Sequence, residues 1–181
     1  MKTKRLLQSI GILCLAWLMP PTADAQSHSA MPPGMTHEEH MTQMKKDADL
    51  KSHGAMAMGF DQDATTHHFH LTATGGAIEV SANNAGDQLS VGQIRNHLKE
   101  IAGAFGRGDF AKPLMTHDET PPGVSTMQAL KTQIAYKFEE TPQGGMVRIT
   151  TKNSLAQNAV HDFLQYQIWE HKTGDPLSVR K

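Results

Sequence analysis

Thiol chemistry is almost missing from this chain. Of its 181 residues one is cysteine, Cys14, and it lies in the opening segment. That segment has the form of an export leader: Lys2, Lys4 and Arg5 precede an apolar run from Leu6 to Met19, and Ala23-Asp24-Ala25 offers an A-x-A cleavage site before Gln26. Leu13 stands where lipoprotein processing at Cys14 would want a small residue. Cleavage after Ala25 therefore removes the cysteine, which excludes disulfides, thiolate nucleophiles and sulfur cages of the zinc-finger kind from a periplasmic or secreted product. Long apolar runs are lacking as well. The leader's run is too short for a bilayer and no later stretch is long enough, so no membrane span is expected. Charge of one sign is also lacking: losing Lys2, Lys4, Arg5 and Asp24 takes the formal net charge from −1 to −3, which gives no field for nucleic acid.

The usual signatures of catalysis are absent too. The serines fall in caps, turns and strands, with no Ser-His-Asp order. Gly106-Arg107-Gly108 follows a helical stretch instead of opening one, so it cannot cradle a phosphate. Glu38-Glu39 and Glu139-Glu140 are neighbours in sequence, not facing pairs, and leave general acid–base work without support. No catalytic residue is assigned.

What the chain has in excess is histidine and methionine, eleven of each. Without cysteine, in an oxidising compartment, that composition suits copper first, with zinc or nickel as alternatives. Residues 26–59 form a low-complexity arm with Leu50 as almost its only aliphatic residue, too poor to bury a core. Within it Thr36-His37-Glu38-Glu39 fits a capping box. From there His37, His40, Met41 and Met44 recur at i, i+3, i+4 and i+7, one stripe of a short helix. The stripe is either a metal-collecting face or a plain amphipathic one; His53, Met56 and Met58 add donors.

From Phe60 onward the pattern is that of a folded domain, residues 60–181. Thr66 to Ala73 alternates as a strand, Gly75-Gly76 reads as a two-residue turn, and Ala77 to Ala82 returns with Ile78 and Val80 apolar. Ser90-Val91-Gly92-Gln93 reads as a capping box before Ile94, Leu98, Ile101, Ala102 and Phe105, a helical stripe closed by Gly106. Asp109 to Gly123 reads as loop, and a short helix is expected from Val124. Then Ile134, Tyr136 and Phe138 alternate, Gly144-Gly145 turns, and Val147 and Ile149 alternate. Asn153 or Ser154 caps a last helix presenting Ala156, Val160, Phe163, Leu164, Ile168 and His171 inward. The halves match in letters, Gly75-Gly76-Ala77-Ile78-Glu79-Val80 against Gly144-Gly145-Met146-Val147-Arg148-Ile149, and Ile94-Arg95-Asn96-His97-Leu98 against Val160-His161-Asp162-Phe163-Leu164. An α+β fold follows: duplicated β-β-α units forming a four-stranded antiparallel sheet, two helices on one face, and a short connector helix.

The strand Thr65-Thr66-His67-His68-Phe69-His70-Leu71-Thr72 decides where imidazoles go. Alternation sends His67, Phe69 and Leu71 to the helix-covered face and His68 and His70 to the open one. A Gly75-Gly76 turn pairs Thr72 with Glu79 and puts Glu79 diagonal to His70. His68, His70 and Glu79 then make a partial site for copper or zinc, or else the polar side of a wetted sheet. Met115 and His117 alternate in the proline-bounded loop and present thioether and imidazole together, with Asp118 as an orienting acceptor; alternatively Met115 plugs the core. His97, His161 and His171 read as structural, as does His67 at the core edge.

Thr120-Pro121-Pro122-Gly123-Val124 and the ending from Val160-His161-Asp162-Phe163-Leu164 through Glu170-His171-Lys172-Thr173-Gly174-Asp175-Pro176 resemble a family of exported bacterial proteins, with a matching Thr66-His67-His68-Phe69 strand. The resemblance covers about residues 58–176 and implies an exported single domain; no activity comes with it. The expectation is an exported transition-metal-binding protein, copper favoured, acting as buffer or carrier. An envelope interaction module docking a protein partner on its open sheet face, and a metal-dependent enzyme, are the other classes.

Overall fold

Alternation of apolar and polar residues builds the centre of the molecule. A computed structural model describes residues 34–179; the leader expected at 1–25 and the start of the expected arm lie outside the described residues. Strands β1 (Thr65–Thr72) and β2 (Gly75–Ala82) form one antiparallel hairpin, β3 (Ile134–Thr141) and β4 (Gly144–Thr151) a second. The hairpins join through β2 and β4, again antiparallel, in the order β1-β2-β4-β3. Phe69, Leu71, Ile78, Val80, Val147 and Ile149 are buried on one face, beneath helices α2 (Gln88–Arg107) and α5 (Ser154–Glu170). The expected α+β architecture is the one observed.

The glycine doublets do not make the turns. Thr72 pairs with Gly75 and Thr141 with Gly144, so the two-residue loops are Ala73-Thr74 and Pro142-Gln143. The glycines open β2 and β4 instead, because neighbouring groups pass too close for a side chain. A Cβ on Gly76 would lie 2.2 Å from Leu164 Cδ1 and 2.4 Å from the His70 carbonyl oxygen. One on Gly144 would lie 2.1 Å from the Val80 carbonyl oxygen and 3.1 Å from Ile94 Cγ2.

Each helix covers the other half's hairpin. The first-half helix, α2, lies chiefly over β3 and β4, whereas α5 lies over β1 and β2. A matched pair of clamps fixes this crossing. The Arg95 guanidinium on α2 donates to the carbonyls of Thr141 (2.9 Å) and Gly144 (3.0 Å). His161 on α5 donates through Nε2–H to the carbonyls of Thr72 (2.9 Å) and Gly75 (3.0 Å). Arg95 and His161 hold equivalent places in the two halves, and so do the carbonyls they reach. The duplication legible in the letters is thus repeated in the hydrogen bonds.

Helix ends depart from expectation where a nearer cap exists. Asp87 caps α2, accepting from the backbone N–H (3.0 Å) and hydroxyl (2.6 Å) of Ser90, so the helix starts before the Ser90–Gln93 box. It ends at Gly108, which adopts the left-handed conformation (φ 80°), not at Gly106. Asn153 caps α5 as expected. The proline-bounded stretch expected as loop contains helix α3 (Ala111–His117), since Pro113 falls in the first turn, where a missing N–H leaves no bond unmade. Helix α4 (Val124–Ala129) and a 3₁₀ turn (Lys131–Gln133) complete the connector.

Residues 37–58, which the sequence places in a low-complexity arm, form helix α1 (His37–Met58). Its capping box is present: Glu39 accepts from Thr36 N–H (2.8 Å) and Thr36 Oγ1 from Glu39 N–H (3.2 Å). The helix has little to bury, and polar contacts tie it to the body. Lys46 pairs with the buried Glu170 (2.8 Å), Lys172 with Asp47 (2.6 Å), and Lys112 Nζ donates to the Ala57 carbonyl (3.2 Å). Among the described residues no helix is long and apolar enough to cross a membrane.

Candidate metal site

β1 delivers imidazoles to both faces of the sheet. On the open face the true register sets His68 opposite Glu79 and His70 opposite Ala77, in place of the Thr72–Glu79 pairing expected from a glycine turn. Glu79 is nonetheless diagonal to His70, and His70 Nε2 lies 3.1 Å from Glu79 Oε2. The His68 and His70 rings stack at 6.0 Å. A partner from outside the expected set is Asp175 of the C-terminal segment, 3.0 Å from His68 Nδ1 and accepting the edge N–H of Phe69 at 2.9 Å. Burial pushes the Asp175 carboxyl up, but donation from Phe69, Thr173 and His68 outweighs it and holds the group below the ordinary range. The carboxylate is therefore already occupied in closing the edge of β1. Farther across the face Glu139 is engaged by Lys137 (3.2 Å) and Arg148 (2.9 Å).

The other expected groups stay apart. His37, Met41 and Met44 form an exposed stripe on α1, Met41 52 % and Met44 46 % exposed, with His40 half-buried beside them. Met115 and His117 do not converge. They sit on α3, where residues two apart point roughly 200° away from each other, leaving Met115 53 % exposed while His117 turns inward. Asp118 does not orient His117; it ends α3 in the left-handed conformation (φ 56°).

His117 instead belongs to a group the sequence does not assemble. Four imidazoles from four elements, His67 of β1, His97 of α2, His117 of α3 and His171 at the end of α5, line one interior cavity of about 70 Å³. Its other walls include Phe69, Ile101, Phe105, Phe163 and Gln167. The His171 ring stacks on His67 with centroids 6.1 Å apart and meets His117 edge-on at 5.1 Å. Phe60 stacks on His67 at 6.1 Å and meets His97 edge-on at 5.4 Å. Such a volume takes an ion with one or two small ligands and is well below the roughly 300–1,000 Å³ of an organic-ligand pocket.

No family model, curated protein or solved structure matches this chain at a significant level.

Electrostatics keeps the four rings uncharged. Burial is the largest cause throughout. It lowers His67 to about 4, helped by His68, and His97 to about 4, helped by Lys112 and His67. It lowers His171 to about 3, helped by His117 and His67. His117 is also lowered by burial, against a hydrogen bond to Gln167 that pulls the other way. His117 Nε2 lies 3.1 Å from Gln167 Oε1, while His117 Nδ1, Gln167 Nε2 and His97 Nδ1 are buried without a partner among the described residues. Neutral imidazoles with free ring nitrogens are the protonation state a transition metal requires. As they stand, no three His, Cys, Asp or Glu side chains among the described residues are close enough to hold one ion. The parallel stacking of His67 on His171, 9° between planes, is part of the reason, since neither ring directs a nitrogen at the other's.

His117 also borders a second space. A groove of about 300 Å³ runs beneath α1, walled by His53, Asp49 and Lys46 on one side and by Thr116, His117 and Glu170 on the other. The residue signal for the interior group was available in one form only: His67, His97, His117 and His171 each sit on or beside an apolar, inward-facing position.

Proposed function

We propose that this protein is an exported transition-metal-binding protein, copper favoured and zinc second, that buffers or carries the ion, and that the interior cavity is where the ion is held. The convergence of four neutral imidazoles on one cavity is the observation that carries the proposal. An imidazole nitrogen holds copper or zinc at about 2.0–2.1 Å, so two rings on one tetrahedral ion stand roughly 5 Å apart between centroids. The separations of 5.1 Å for His117–His171 and 6.1 Å for His67–His171 lie within about 1 Å of that spacing. The depressed pKa values support the same reading, because no proton has to leave before the metal binds. His68 and His70 with Glu79, and the His37, His40, Met41 and Met44 stripe, supply weaker outer donors that fit a collecting role.

The test is titration of the full processed chain with Cu(I), Cu(II) and Zn(II), comparing an inner double variant, His67→Phe with His171→Phe, against an outer one, His68→Ala with His70→Ala. The inner change should weaken binding by at least the roughly 10–100-fold typical of second-shell losses, with circular dichroism confirming the fold, and the outer change should do far less. Equal affinity in all three proteins would remove the cavity from the proposal. Affinity no better than that of a generic histidine tail would remove the metal.

A further inference from the structure

Three polar side chains other than imidazoles line the interior site, Lys112, Thr116 and Gln167. Lys112 donates to the Ala57 carbonyl and pairs with Glu100, and Thr116 donates to the Lys112 carbonyl, so among the described residues Gln167 is the one of the three with a buried polar atom left over. Gln167 is 5 % exposed, lies four residues before His171 on the inward face of α5, and lines the cavity with it. Its Oε1 is 3.1 Å from His117 Nε2, and its Nε2 has no partner among the described residues. A carbonyl oxygen only accepts, so at this contact His117 must carry its proton on Nε2. One proton on a neutral ring then leaves Nδ1 with a bare lone pair, and that atom is buried and unpartnered. Metal-bound histidines are held in this manner, the second ring N–H given to a fixed acceptor that sets tautomer and orientation.

We propose that Gln167 is the positioning residue of the interior site, fixing His117 as the Nε2–H tautomer so that Nδ1 is its ligand atom. This rests on the proposed metal-binding function for its purpose, though not for its geometry. The amide N–H of Gln167 stays free to donate into the cavity, whose lining also includes Thr116 and Lys112.

Nitrogen-15 NMR of the metal-free full chain reads the tautomer directly and needs no variant. His117 should appear protonated at Nε2 and bare at Nδ1. Gln167→Met keeps length and apolar volume but removes the acceptor. It should abolish the tautomer preference and lower Zn(II) and Cu(II) affinity by roughly 10–100-fold. Gln167→Glu keeps an acceptor and should retain both. A wild-type Nδ1–H tautomer overturns the inference, as does a Gln167→Met protein with wild-type tautomer and affinity. If the chain binds no ion at the cavity but His117 is Nε2–H and loses that preference in Gln167→Met, the positioning stands and the metal-binding reading falls.

Discussion

Single residues carry most of what is chemically distinctive in this molecule, and histidine above all. His67, His97 and His171 titrate near 4, 4 and 3 in the fold against an ordinary value of 6.5. A depressed histidine means that the unfolded chain binds protons the native state refuses. Their contribution is therefore fully present above about pH 6.5 and is lost as the pH falls toward 4 and 3. The three groups act in the same direction, so acid weakens the fold through proton uptake by the unfolded chain. Urea unfolding of the metal-free protein should show stability falling steeply between pH 6.5 and 4.5, before carboxylates protonate. His171→Phe, whose larger ring has the adjoining cavity to expand into, should flatten that slope. An unchanged slope would mean that the imidazoles are solvated. This group of residues was barely legible in the sequence. Long stretches of chain separate the four histidines, each alone resembles a packed core-edge histidine, and only the tertiary fold adds them together. The trio His67, His68 and His70 was legible as far as its faces, because alternation along a strand requires only the period of two.

At the scale of elements, the periodic segments were readable and the punctuation was not. The stripe from Ile94 to Phe105 and the alternation in all four strands fixed α2 and the sheet, since several apolar positions repeat with one period. Glycine doublets misled because Gly-Gly most often marks a turn, whereas here it marks close approach of a helix and a neighbouring strand. Helix α3 was hidden by Pro113, which its first turn accommodates, and α1 by its poverty in apolar residues. The glycine argument has a sharp consequence. Gly76→Ala must push aside Leu164 and the His70 carbonyl, and backbone does not yield cheaply, so the loss should reach or exceed the roughly 1–3 kcal/mol typical of overpacking. Gly92, inside α2, is a site where an added Cβ would meet nothing within 4 Å, and it should behave oppositely, Gly92→Ala gaining about 0.5–1 kcal/mol. Thermal unfolding of the two variants side by side checks the contrast; similar midpoints would refute the close-approach explanation.

For the whole molecule the decisive feature is the crossing of α2 and α5 over each other's hairpins. Each β-β-α unit, taken alone, keeps only its helix's smaller contact with its own inner strand (α2 with β2, α5 with β4) and loses most of its cover, so neither unit is expected to fold by itself. The arrangement is that of a domain-swapped pair whose two members have been joined into one chain. Cleaving the connector between Asp118 and Pro121, outside α3 and α4, should therefore yield two fragments that are unstructured apart and reconstitute the sheet when mixed, as followed by circular dichroism. Structure in either fragment alone would contradict the interdependence. The cavity is divided along the same line: His67, His97 and His117 belong to the leading fragment, Gln167 and His171 to the trailing one. A partly synthesised chain thus holds three scattered imidazoles and no enclosure, and the pocket comes into existence only when the last helix docks. Docking of α5 and completion of the site are one event.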